Sequence, residues 1–213
     1  MRLLDLFCGA GGAAMGYHQA GFDDIVGVDI VPQPNYPFTF IQGDALHPPV
    51  DLDDFDLIHA SPPCQAHVPM AANRWGNPRW ADQIVPTRKL IQHHPYVIEN
   101  VTGASKSLQA PMVLTGEMFG LKTSRRRLFE LGHWFAMSPP PMRRQEKAMA
   151  IYGKPDGRRL TNRKDGTDLH AWESMEAGAE AMGVEWMTDE LEVREAIPPA
   201  YTKFIGEQFL AQQ

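Results

Sequence analysis

One cysteine, Cys64, lies in a segment that suits a nucleophile. It belongs to the sequence Ser61-Pro62-Pro63-Cys64-Gln65, which directly follows a predicted strand over residues 55–59. Open α/β sheets bind their ligands at the carboxyl ends of their strands, so this loop lies at the expected ligand edge. A cysteine attacks as the thiolate, and the prolines before it restrict the backbone that aims it. The segment therefore predicts a nucleophilic Cys64, the alternative being a buried structural cysteine.

A carboxyl group and a run of arginines can reach the same edge. Glu99 ends a predicted strand over residues 96–99. A desolvated carboxyl group has a raised pKa and can hold or donate a proton, whereas an acid at a strand end is otherwise a cap or a surface charge. The sequence Arg125-Arg126-Arg127 precedes a predicted strand at 128–129, and the alternation of a strand would put Arg125 and Arg127 on one side.

A glycine turn near the start of the chain predicts a nucleotide site. The sequence Gly9-Ala10-Gly11-Gly12-Ala13-Ala14 lies between a predicted strand and a predicted helix, and Asp29 ends the next strand. This is the dinucleotide-binding pattern, with the acid placed for ribose hydroxyls. The turn would suit a nicotinamide cofactor, a flavin or S-adenosylmethionine, or would serve only tight packing. Asp44 could accept a hydrogen bond from an adenine amino group, and Cys8 is interpreted as a small packing residue.

The remaining pattern supplies the elements that position these side chains. Short apolar runs predict strands over residues 2–7, 25–30, 39–42, 55–59 and 96–99. Helical composition falls at residues 13–20, 83–94, 171–182 and 201–213. Strands alternating with helices predict an α/β fold with a mainly parallel sheet covered on both faces. The proline-rich segment 31–38 predicts a loop or a short helix.

Length and composition restrict the class of protein. The 213 residues suit one domain with at most a small appendage, and no apolar run approaches the ~18 residues that cross a bilayer. No signal peptide is visible, so the cytoplasm is the expected location, and no membrane partner is expected. Two cysteines, Cys8 and Cys64, argue against a disulfide framework and form no metal cage by themselves, so no metal is expected.

Basic residues are concentrated in one segment of an acidic chain. Residues 122–164 hold twelve Lys or Arg against three acids, a net charge of +9, while the rest of the chain carries −15. Such asymmetry is typical of a nucleic-acid interface, although a solvated loop would look the same. We predict a cofactor-binding catalytic domain at 1–133 and a basic insert, only partly ordered, at 134–170. Helices at 171–213 would complete the catalytic domain.

Taken in order, these motifs resemble those of the DNA cytosine-5 methyltransferases. The resemblance covers most of the chain outside the basic insert. It implies a Rossmann-like, S-adenosylmethionine-dependent methyltransferase fold whose insert is a reduced target recognition region. It also implies a monomer that acts on double-stranded DNA, of a compact phage or restriction-modification type found in bacterial or phage-infected cells. The matching segments are residues 5–12, 62–65, 99–101, 125–127, 197–201 and 204–206.

The resemblance implies a role for each candidate residue. Cys64 would attack C6 of a flipped cytosine, Glu99 would bind the N3 and amino edge, and Arg125 with Arg127 would orient the pyrimidine carbonyl and the catalytic loop. Phe7 and Ile30 would sandwich the adenine of the cofactor. The implied cofactor-binding set is Phe7, Cys8, Gly9, Gly11, Gly12, Asp29, Ile30, Asp44, Ala45 and Pro63. The implied DNA-binding set is Gln65, Arg143, Arg144, Arg158, Arg159 and Arg163.

The chain departs from the family pattern at several positions. Asp29 stands where glutamate is usual, Ala66-His67 replaces an aromatic residue and a serine, and Glu195-Ala196 replaces a Gly-Asn pair. Thr123 stands where glutamine is common, and the insert is short for a target recognition domain. The alternatives are an enzyme that methylates RNA cytosine, one that transfers a modified group from a sulfonium donor, and a catalytically silent DNA-binding relative.

Overall fold

A computed structural model of the chain describes residues 1–67, 81–140, 147–158, 160 and 168–213, and these contain nine strands and five α-helices. The strands are β1 Arg2–Leu6, β2 Asp24–Asp29, β3 Thr39–Gln42, β4 Leu57–Ala60, β5 Tyr96–Asn100, β6 Met112–Leu114, β7 Arg127–Gly132, β8 Lys147–Ala150 and β9 Asp168–Ala171. The helices are α1 Gly12–Ala20, α2 Ile84–Ile91, α3 Met175–Met182, α4 Glu190–Glu195 and α5 Pro199–Leu210.

Seven strands form one sheet in the order β3-β2-β1-β4-β5-β7-β6. Strands β1 to β5 pair in parallel, and β7 runs antiparallel to both of its neighbours, β5 and β6. Central strands β4 and β5 are buried along their whole length, as expected where both faces of a sheet are covered. The prediction of an α/β fold with a mainly parallel sheet is confirmed.

Helices α1 and α5 pack closely against each other and against one face of the sheet. Their approach depends on Gly16, where an added Cβ atom would overlap Thr202 Oγ1 and Pro199 O. The Thr202 hydroxyl donates a hydrogen bond of 2.8 Å to the carbonyl of Ala13, which ties the last helix to the first. The other face is covered by α2, through Ile84 and Ile91.

The region around the predicted insert contains local structure that the sequence pattern did not reveal. Strands β8 and β9 form a separate two-stranded parallel sheet. Strands of four residues are too short to show a clear period in a segment of mixed composition. Trp134, the first residue of the predicted insert, belongs to the body of the protein: its indole N–H donates to Tyr96 O at 3.1 Å, and its ring contacts Phe209.

One predicted helix begins later than expected. Residues 171–182 have helical composition, but the helix starts at Met175, because Ala171 ends β9 and Ser174 caps the helix. The Ser174 hydroxyl accepts a hydrogen bond from the backbone N–H of Ala177 at 3.2 Å, satisfying one free donor of the first turn. Among the described residues, no helix has the length and apolar character needed to span a membrane.

Candidate active site

The loop that carries Cys64 is clamped to the neighbouring strand. The side-chain amide of Asn100 donates to the carbonyl oxygen of Pro62 at 2.8 Å, and its Oδ1 accepts from the N–H of Val101 at 2.9 Å. Asn100 is buried at the end of β5, so its amide holds the loop after β4 against that end. The sequence pattern alone did not predict this role of Asn100. The available indication was its position directly after Glu99, at the end of the same strand.

Glu99 is buried at the carboxyl end of β5 and paired with Arg127. Its side chain is 8% exposed, and its Oε1 lies 2.9 Å from Arg127 Nε. Burial raises the pKa of Glu99 above its usual range, against the opposing effects of Arg127, Arg125 and a hydrogen bond from Ser61. A desolvated carboxyl group with a raised pKa is the environment expected of a group that holds or donates a proton.

Cys64 interacts electrostatically with the same pair. Burial raises the pKa of the Cys64 thiol, the charge of Glu99 raises it further, and Arg127 opposes both effects. Cys64, in the loop after β4, thus lies in the electrostatic environment of Glu99 on β5 and Arg127 on β7. These three residues are called the coupled group below. The raised pKa means that the thiol form predominates at neutral pH in the protein alone.

The three arginines alternate in exposure as predicted, but the two inward ones contact different partners. Arg125 is buried, Arg126 is exposed and Arg127 is half-buried. The Arg125 guanidinium donates to three backbone carbonyls: to Ala196 at 2.7 Å, to Arg194 at 2.6 Å and to Ile151 at 3.3 Å. Arg125 thus holds the segment after β8 and the C-terminal segment beside the site, whereas Arg127 contacts Glu99 itself.

The glycine turn leaves open space beside a fixed carboxylate. Phe7, Gly9 and Gly11 have φ angles of 58°, 50° and 83°, the left-handed region that favours glycine. Asp29 accepts hydrogen bonds of 3.0 Å from the N–H groups of Gly9 and Val31, which fixes its carboxylate at the end of β2. A Cβ atom on Gly9 would meet nothing within 4 Å, so there is room for a ligand in front of the turn.

The other glycines of the turn are packed against distant segments. A Cβ atom on Gly12 would lie 2.5 Å from Ile197 O, so the C-terminal segment closes directly over the turn. On Gly11 it would lie 2.8 Å from Pro37 Cδ, in the loop over residues 31–38. The indole N–H of Trp186 donates to Ala10 O at 3.0 Å, a contact that nothing in the sequence indicated.

The remaining residues of the implied cofactor set differ in their accessibility. Ile30 is 68% exposed beside Asp29, as an apolar side chain must be to contact a flat ring. Cys8 and Ala45 are buried in the core, and the packing interpretation of Cys8 agrees with its place there. Asp44 is exposed and accepts hydrogen bonds from His47 Nδ1 and Leu46 N, which lower the pKa of its carboxyl group.

Two other predicted site residues lie beside Cys64. Pro63 and Gln65 are both half-buried, and Gln65 begins a short 3₁₀ turn over Gln65–His67. His67 ends that turn, with its Nε2 atom 3.1 Å from Asp82 Oδ1.

The mainly parallel sheet with its reversed strand β7, and the glycine turn with Asp29 at its carboxyl edge, have the arrangement of the Rossmann-like methyltransferase fold. The chain belongs to the C-5 cytosine-specific DNA methylase family, whose model matches residues 1–110. The resemblance in the sequence and the predicted fold class are thereby confirmed.

Two solved structures resemble the whole chain. One is a protein assigned as a DNA modification methyltransferase encoded within an E. coli prophage, with 14% identity, a TM-score of 0.64 and coverage of 100% of this chain and 99% of that chain. The other is the Dnmt2 methyltransferase of S. pombe, with 13% identity, a TM-score of 0.62 and coverage of 100% and 98%. At these identities the likeness concerns the fold. No curated protein matches the chain significantly.

Proposed function

We propose that the protein is a DNA cytosine-5 methyltransferase that uses S-adenosylmethionine and forms a covalent adduct between Cys64 and cytosine C6. The observation that carries this proposal is the coupled group of Cys64, Glu99 and Arg127 at the carboxyl edge of the sheet. Family membership supports the reaction class, since the matched residues 1–110 include Cys64 and Glu99.

The residues around the glycine turn fit the cofactor. Asp29 would accept hydrogen bonds from ribose hydroxyls, and the exposed Ile30 with Phe7 would contact the adenine. The open space in front of Gly9 provides room for the adenosyl group. When bound, S-adenosylmethionine supplies an electrophilic methyl group on a sulfonium.

The coupled group supports a stepwise reaction on cytosine. Cytosine C5 is a poor nucleophile until a group adds to C6, which the Cys64 thiolate would do. Glu99 would donate a proton or a strong hydrogen bond to N3, so that the adduct becomes an enamine whose C5 can take the methyl group. Removal of the C5 proton by a base then breaks the Cys64–C6 bond and restores the aromatic ring. Arg127 would fix Glu99 and contact the pyrimidine carbonyl.

The buried position of the site requires that the target base leave the helix. Inside a duplex the reacting face of cytosine is stacked, so the nucleotide must be flipped into the pocket. We assign phosphate binding to the insert at 134–170, where Arg158 has a largely exposed side chain 3.3 Å from Asp156 Oδ2. Arg143, Arg144, Arg159 and Arg163, the other predicted DNA contacts of the insert, lie outside the described residues.

Arg125 takes a different role in this proposal from the one that the resemblance implies. Its guanidinium is occupied by carbonyl oxygens of Ala196, Arg194 and Ile151, so it would act by holding the C-terminal segment beside the pocket. Arg127 remains the arginine placed to act on the substrate.

A covalent trap tests the proposal directly. The purified protein is incubated with S-adenosylmethionine and a duplex containing 5-fluorocytosine, which cannot lose a proton from C5, and the adduct is digested and mapped by mass spectrometry. We expect the DNA adduct on Cys64, with the buried Cys8 unmodified in the same digest. Matched RNA and single-stranded DNA substrates test the alternative acceptors. A wild-type protein that traps none of these substrates would be a catalytically silent relative, and an adduct confined to RNA would replace the DNA assignment.

A further inference from the structure

A chain of hydrogen bonds runs from helix α1 through the sheet to Glu99. Tyr17 Oη lies 3.0 Å from His59 Nδ1, and His59 Nε2 lies 2.9 Å from Ser61 Oγ. Ser61 directly follows Ala60 of β4, which pairs with Ile98 of β5, so Ser61 lies beside Glu99 at the same edge of the sheet. There its hydroxyl lowers the pKa of the Glu99 carboxyl group as a hydrogen-bond donor. Tyr17 and His59 are fully buried, and the tyrosine ring contacts the imidazole edge-on at a centroid distance of 5.4 Å.

The charge at the end of this chain sets the direction of every bond in it. In the ionised form Glu99 only accepts hydrogen bonds, so in that form the single hydroxyl proton of Ser61 is donated to Glu99. Ser61 Oγ must then accept from His59, which places a proton on His59 Nε2. Burial lowers the pKa of His59 to about 3, so the ring is neutral and carries one proton. His59 Nδ1 therefore accepts from the hydroxyl of Tyr17.

The groups around Glu99 restrict where its carboxyl group can donate. Arg127, at the start of β7, and Ser61, after β4, are both donors toward it. The other charged and titratable groups that interact electrostatically with it are Arg125, before β7, Cys64, in the loop after β4, and Tyr201, in α5. Arg127 has no acceptor, and Ser61 does not accept from the carboxyl group to which it donates, so this arrangement favours a Glu99 proton that is directed into the pocket.

We propose that Tyr17, His59 and Ser61 are positioning residues that hold the Glu99 carboxyl group in the orientation needed to donate to the base. This inference rests on the proposed role of Glu99 in catalysis. Tyr17 and His59 are fully buried, so they would act on Glu99 only through Ser61. Aligned hydrogen bonds in a buried site polarise one another, so the distant Tyr17 hydroxyl also contributes to the orientation.

The predicted tautomer of His59 can be measured without any activity assay. The protein is labelled with ¹⁵N-histidine, and two-bond ¹H–¹⁵N correlation spectra are recorded between pH 5.5 and 8.5. We expect one of the eight histidines to show a neutral Nε2–H tautomer that does not titrate, and the His59→Gln variant to lose that signal. A neutral Nδ1–H tautomer, or an imidazolium form in this range, would overturn the proposed direction of the chain.

A second experiment separates positioning from simple stabilisation. The Ser61→Ala variant lacks the bond next to Glu99, and a lost hydrogen bond to a charged group is worth at least about tenfold in rate. Single-turnover rates on duplex DNA should fall by about that factor. Because a donor to the charged form is removed, the pH at which Glu99 titrates in the rate profile should rise. Tyr17→Phe should shift it in the same direction by less.

Thr87→Val is the matched control, because it also removes a buried hydroxyl group. The Thr87 hydroxyl lies in α2 and donates to the carbonyl of Gln83, the residue before that helix. It should leave the pH profile in place, whatever its effect on stability. An unchanged profile in Ser61→Ala, or an equal shift in Thr87→Val, would reduce the chain to a structural role. If the wild-type protein methylates no nucleic acid, the proposed function fails, while the tautomer measurement still decides the hydrogen-bond direction.

Discussion

Replacing Arg125 by lysine should destabilise the protein far more than the same replacement of Arg127, two residues later. Arg125 donates to three carbonyl oxygens at 2.6, 2.7 and 3.3 Å. These bonds use the three nitrogens of a planar guanidinium, whereas lysine has a single ammonium nitrogen, so it would keep about one of these bonds. Hydrogen bonds to charged groups contribute about 1.5–3 kcal/mol each, and the bond at 3.3 Å contributes least. We expect a loss of about 2–4 kcal/mol in the free energy of unfolding.

Urea and thermal denaturation of the purified variants measure this loss. For a chain of this size each kcal/mol lowers Tm by about 2–4 °C, so Arg125→Lys should melt about 4–16 °C below the wild type. Arg127→Lys keeps a cation beside Glu99, so it should lose less stability and instead slow single-turnover methylation through a misplaced carboxyl group. The exposed Arg126→Lys is the control, with an expected change within about 0.5 kcal/mol. Equal stability losses in Arg125→Lys and Arg127→Lys would refute the division of roles.

Four other predictions address the site and the insert. Glu99→Gln should lower the single-turnover rate by a factor of about 10² to 10⁴ with little change in DNA affinity. A large loss of DNA affinity at an unchanged rate would instead show that Glu99 is a structural cap. Because burial raises the pKa of Cys64, the single-turnover rate profile should contain a limb that rises with pH as thiolate forms, opposite in sign to the limb that reports loss of the Glu99 proton. A profile without a rising limb would contradict this. Gly12→Ala places a Cβ atom 2.5 Å from Ile197 O, so it should lower the free energy of unfolding by about 1–3 kcal/mol and weaken the binding of S-adenosylmethionine. Denaturation and calorimetry measure the two effects, and wild-type values for both would show that the turn tolerates a side chain. Neutralising Arg158 together with Arg159 should flatten the slope of log DNA affinity against log salt concentration by up to ~2, equally on two unrelated duplexes. An unchanged slope would show that these arginines do not contact DNA phosphates.

Local sequence pattern was sufficient to predict the elements that carry the site. Strand β3 occupies residues 39–42 as predicted, and β5 extends the predicted 96–99 by one residue, to Asn100. Apolar runs of this length, interrupted by glycine and proline, are local signals that do not depend on the rest of the chain. The same holds for the placement of Cys64 and Glu99 at one edge, since parallel neighbouring strands end on the same side of a sheet.

Only the tertiary structure decided which side chains meet at that edge. Arg125 and Arg127 are alike in sequence, yet one binds carbonyls about 70 residues away and the other binds Glu99. His59 belongs to an apolar strand in the sequence pattern, and its bond to Tyr17, 42 residues away, depends on the packing of α1 against the sheet. Side-chain contacts between distant residues follow from how elements pack, and the local periodicity that predicts a strand or helix does not specify that packing.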